Sequence, residues 1–140
     1  MSPDGFMMRR EKVAELSGRE VWALDTIAHV ADQHRGQIVA TGSHGGISSG
    51  GYAGRVALEE VFFNGAGIGK GEAGTDALPY LQQQGIAAGT VAHESAVIGN
   101  ALETWQHGII SRINSIARMR GFREGEALHA ALERIYGTSP

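Results

Sequence analysis

Residues able to do chemistry gather just after three apolar segments of the chain. His44 follows Ile38-Val39-Ala40, and Ser43, Ser48 and Ser49 surround it among the five glycines between positions 42 and 51. Asn64-Gly65-Ala66-Gly67-Ile68-Gly69-Lys70-Gly71 follows Val61-Phe62-Phe63, and His93-Glu94-Ser95 follows Thr90-Val91-Ala92. Imidazoles titrate near pH 6.5, so His44 and His93, with Glu94 beside them, suit general acid–base work. Glycine loops present backbone N–H groups that can cradle an anion or an oxyanion, and Lys70 can add a point charge. The reading assigns catalysis to His44, His93, Glu94, Ser43 and Ser49, and substrate contact to Gly45, Gly46, Ser48, Asn64, Gly67, Lys70 and Ser95. The expected reaction is hydrolysis of an amide or acyl C–N bond in a small anionic metabolite. The alternative is a non-catalytic ligand-binding domain or an accessory subunit of a larger enzyme.

Motif tests narrow these readings. A phosphate-binding P-loop needs G-x-x-x-x-G-K-[ST], but here Asn64 occupies the first glycine position and Gly71 follows Gly69-Lys70. His93-Glu94-Ser95-Ala96-Val97 lacks the second histidine of H-E-x-x-H, so no zinc protease site is expected, and the reading includes no metal and no cofactor. The run Gly45-Gly46-Ile47-Ser48-Ser49-Gly50-Gly51 is similar to the signature of the amidase-signature hydrolases, in which serines and a lysine form the catalytic unit. That resemblance covers seven residues and implies a serine nucleophile, for which Ser43, Ser48 or Ser49 would serve. None of these serines sits in a G-x-S-x-G elbow. The bland alternatives are that the serines cap turns and that the histidines are structural.

These residues need a scaffold that brings three loops to one edge. Residues 37–41, 61–63 and 86–91 read as buried strands, with a further short strand within 21–30. Helices are expected over 52–58, over 76–84 with Thr75 as cap, and over 99–120, where Leu102, Trp105, Ile109, Ile113 and Ile116 recur at helical spacing. A last helix is expected over 125–136, a short helix or arm over 1–17, and a loose tail over 137–140. Alternating strands and helices predict one α/β domain, a mainly parallel sheet with helices on both faces and its loops at the carboxyl edge. Asp25 is a further carboxylate at a strand end, with no assigned role.

Composition bounds the rest. The chain has 140 residues, with 12 basic against 15 acidic side chains and a net charge of −3, which disfavours a nucleic-acid partner. There are no cysteines, so disulfides and thiolate sites are excluded, which fits a reducing, cytoplasmic setting. No apolar run is long enough to span a membrane, and Met1-Ser2-Pro3-Asp4-Gly5 lacks the order of a secretory signal. The 21 glycines are about twice ordinary usage. The apolar faces of 100–120 and 125–136 could supply a homo-oligomer interface.

Overall fold

The structure, a computed structural model, describes residues 8–66 and 76–137. Its centre is one six-stranded sheet in which every strand pairs with its neighbour in the chain. β1 (Arg10–Leu16) and β2 (Arg19–Leu24) form an antiparallel hairpin. β2, β3 (Ile38–His44), β4 (Glu60–Asn64) and β5 (Ala87–Val91) run parallel, and β6 (Ile110–Ile113) returns antiparallel to β5. Five α-helices accompany them: α1 (Ile47–Val56), α2 (Ala77–Gln83), α3 (Ala101–His107), α4 (Ser115–Arg120) and α5 (Leu128–Tyr136). The α/β class and the mostly parallel sheet match the sequence reading. Among the described residues no helix is long and apolar enough to cross a membrane.

Adjacent residues of a strand point to opposite sides of a sheet, and two core clusters divide the strands in that way. Ile38, Ala40, Phe62 and Ala87 pack with Trp105, Phe122, Leu128 and Leu132. Val39, Val61, Phe63 and Ala88 pack with Ala53, Val56, Leu78 and Leu81. The first cluster thus receives α3 and α5, and the second receives α1 and α2. Trp105 of α3 is 4% exposed and Leu128 and Leu132 of α5 are fully buried, so the apolar faces proposed for subunit contact are occupied within the chain.

Two expectations are overturned. The helix expected near the N-terminus is strand β1, because Ser17 (φ 52°) and Gly18 (φ 84°) both take left-handed conformations. Two such residues make the primed turn that matches the twist of a hairpin, so Gly18 reverses the chain instead of ending a helix. The helix expected over 99–120 is α3, β6 and α4 in succession. Gly108 ends α3 in extended conformation, and a Cβ there would lie 2.4 Å from Thr104 O and 2.7 Å from Val91 Cγ1. Only glycine lets the chain turn this close to β5 and begin β6. Asn114 then ends β6: its Oδ1 accepts from Ala88 N (3.1 Å) and Ala117 N (3.0 Å), and its Nδ2 donates to Leu78 O (3.1 Å) and Ile86 O (3.0 Å). This one buried side chain caps α4 and ties it to the start of β5.

Candidate functional site

β3, β4 and β5 end side by side, with His44 paired to Asn64 and Asn64 paired to Val91. From β3 the chain turns through Gly45-Gly46 into α1, toward the cluster of Val39 and Phe63. From β5 it follows residues 92–100 into α3, toward the cluster of Ala40 and Phe62. The two exits therefore leave toward opposite faces of the sheet at its carboxyl edge, the edge on which open α/β sheets usually bind ligands. Residues 92–100 lie directly on the strand ends: Gly99 N donates to Gly42 O (2.8 Å) and Asn64 Nδ2 donates to Ala96 O (2.8 Å). A Cβ on Gly42 would come within 2.4 Å of Gly99 C, so glycine is required for this crossing.

The 41–51 stretch is not one loop. Residues 41–44 complete β3, Gly45 and Gly46 form the turn, and 47–51 open α1, which begins five residues earlier than the helix expected over 52–58. Gly46 is the N-cap and makes no side-chain capping bond. Ile47 and Ser48 are exposed in the first turn, and Gly50 N, bonded to Gly46 O at 3.1 Å, makes the first helical hydrogen bond. The preceding amides of that turn have no partner within the helix. Gly46 N donates to His44 Nδ1 at 3.1 Å. The neutral ring then carries its proton on Nε2, a tautomer assigned from this hydrogen bond. His44 is exposed, so its ring is open to solvent beside the start of α1.

The other sequence-selected residues divide sharply. Ser43 Oγ accepts from Ile27 N (3.0 Å), binding β3 to the 3-10 turn Ile27–His29. Ser95 Oγ donates to Ala92 O (2.6 Å) and accepts from Ile109 N (3.0 Å). Ser49 is buried in α1. Asn64 is fully buried, and its Oδ1 accepts from Ala66 N at 2.8 Å. Gly45 O accepts from Ala77 N at 2.9 Å, which joins the turn to α2. His93 and Glu94 pair with each other at 3.6 Å, and their side chains are 64% and 75% exposed. The structure thus brings His44, Gly46 and Ser48 to one spot, whereas His93 and Glu94 face solvent as their own pair. Gly67, Lys70 and the expected cap Thr75 lie outside the described residues. Among the described residues no group of three His, Asp or Glu side chains could hold a metal ion.

Asp25 has a definite role that its sequence position did not indicate. Its Oδ1 accepts from Ala101 N (2.8 Å) at the start of α3, and its Oδ2 accepts from Arg9 N (2.8 Å). Two further buried titratable residues lie away from His44. His34 is fully buried beside Trp22, with ring centroids 4.7 Å apart, and desolvation by burial holds its pKa below the ordinary value. Glu60, the first residue of β4, is fully buried, and desolvation raises its pKa. A separate cavity of about 310 Å³ opens between α2 and the β6–α4 junction, lined by Leu78, Gln82, Arg112 and Glu124 among others. Comparison with protein-family models, curated proteins and solved structures found no match to this chain.

Proposed function

We propose that the carboxyl edge of the sheet beside the start of α1 binds a small anionic metabolite, held by the first-turn amides of α1 and by the Nε2–H of His44. The observation that carries this reading is the Gly46 N to His44 Nδ1 hydrogen bond beside a helix start that has no side-chain cap. Unpaired first-turn amides and the positive end of the helix dipole favour a carboxylate or phosphate there. A neutral histidine donor adds a directed hydrogen bond. His93 and Glu94 form their own exposed pair and do not join His44, so ligand binding is favoured over acid–base catalysis by a shared imidazole–carboxylate set.

Hydrolysis of an amide or acyl C–N bond is the second reading, supported by the same donors. Nε2–H and the α1 amides would hold the oxyanion formed when a nucleophile adds to the carbonyl carbon. Ser43 Oγ is engaged in holding backbone and Ser49 is buried, which leaves water or the exposed Ser48 hydroxyl as the nucleophile.

Amide NMR with inorganic phosphate and a panel of small carboxylates tests the proposal. Saturable shifts of Gly46, Ile47, Ser48 and Ser49 amides are expected, and His44→Ala should weaken binding about tenfold, equivalent to about 1.4 kcal/mol. Absence of saturable shifts at these amides at millimolar anion would overturn it. Amine release from an N-acyl amino acid panel, lost in His44→Ala, would select the hydrolytic reading.

A further inference from the structure

At the opposite end of the sheet, Glu60 pairs across the strands with Ile38 and Ala87, the first residues of β3 and β5. Neither neighbour offers it a charge. Its side chain lies on the side of Phe62 and is covered by the last turn of α5, where Tyr136 Oη donates to Oε2. Arg120 Nη1, from the end of α4, also donates to Oε2 at 3.2 Å while holding Glu59 Oε2 at 2.8 Å. Glu59 is itself paired with Arg19 of β2 at 3.6 Å. Oε1 is buried with no hydrogen-bond partner among the described residues. One carboxylate oxygen is therefore doubly held and the other is buried without a described protein donor, a costly arrangement for an ionised group.

The cover over Glu60 is the less deeply buried end of its helix. α5 is anchored at its start by Leu128, Ala131 and Leu132, all fully buried. Its last turn is held by the Tyr136–Glu60 contact, by the bond from Ser17 Oγ to Tyr136 O, by exposed Arg134 bonded to Glu126 and to Gly121 O, and by partly buried Ile135 and Tyr136. Opening that turn alone would hydrate Glu60 and leave the core packing of the helix intact.

We propose that the last turn of α5 is a proton-controlled cover over Glu60, closed when Glu60 is protonated and opening when it ionises. The groups facing Glu60 are Arg120 from α4, Tyr136 from α5 and the adjacent Glu59; Arg120 and Tyr136 favour the ionised form, and burial and Glu59 oppose it. Burial is the largest of these effects, so the closed-state pKa lies above the ordinary 4.5. Closure is then complete below that ordinary value. It weakens as pH rises through the closed-state pKa, by up to tenfold per pH unit between the two values, and levels off above both.

Amide hydrogen exchange from pH 4.5 to 8, corrected for intrinsic rates, tests this with the full chain. Residues 133–137 should lose protection with rising pH while β4 amides do not. Glu60→Gln, which retains an acceptor for Tyr136 but does not titrate, should give a flat profile. Tyr136→Phe should lower protection at every pH and keep the slope. A flat wild-type profile, or a slope that persists in Glu60→Gln, would overturn the proposal. Should Glu60→Gln fail to fold, carboxyl carbon NMR of the wild type decides. A Glu60 midpoint above 4.5 that coincides with the loss of protection supports the cover, and a midpoint that does not coincide overturns it.

Discussion

At the carboxyl end of the parallel strands His44 stands exposed with one ring nitrogen fixed by Gly46, whereas at the amino end Glu60 is fully buried with one oxygen that has no partner among the described residues. Around His44 the polar side chains of Ser43, Asn64, Ser95 and Asp25 each hold backbone at the carboxyl edge. Around Glu60 the polar groups turn inward, and side chain meets side chain. The difference separates two uses of polarity: side chains that hold backbone at the edge proposed to receive a ligand, and a buried side-chain contact proposed to depend on protonation.

Substitutions can break or sharpen this contrast. The largest expected effect is Asn114→Ala near the amino end, which strands four buried backbone groups and should lower unfolding free energy by about 3–5 kcal/mol, read from the urea midpoint. A loss below about 1 kcal/mol would mean that this end is not held by side-chain hydrogen bonds. Gly42→Ala comes next, since its Cβ would meet Gly99 C at 2.4 Å and Asn100 N at 2.5 Å. Overpacking of this kind costs about 1–3 kcal/mol, and retained stability would show the carboxyl edge to be pliable. His44→Ala should be smallest, within about 0.5 kcal/mol of wild type, because the ring is exposed and its loss leaves the frame intact. A large loss of stability there would assign His44 to the scaffold and not to a ligand.

How much of this was legible in the sequence varies with the kind of residue. β3, β4 and β5 announce themselves as short apolar runs, since strands buried on both faces leave no alternation to decode. Their exits located His44 and Asn64 at one edge. The function of the serines was not legible, because a hydroxyl that binds a nearby N–H leaves no mark on sequence pattern. Leu102, Trp105, Ile109, Ile113 and Ile116 look like one helical face, yet Ile110 is buried and Ile109 is 37% exposed. The close approach of Gly108 to Val91 and the four bonds of Asn114 override that periodicity, and both depend on residues distant in the chain. Glu60 was hidden because a glutamate following Glu59 before an apolar run reads as a solvated strand end; its burial arises from α5, 76 residues away.

The matching of strand order to chain order bears on how the molecule assembles. Each strand finds its partner among residues already close behind it, so pairing can proceed stepwise from the hairpin at Ser17-Gly18 with modest loop-closure cost at each addition. The contacts from Asp25 to Ala101 and from Glu60 to Tyr136 each span 76 residues and form only when α3 and α5 arrive. Folding would thus end with the helices that position residues 92–100 at the carboxyl edge and cover Glu60, and both ends of the sheet would mature last.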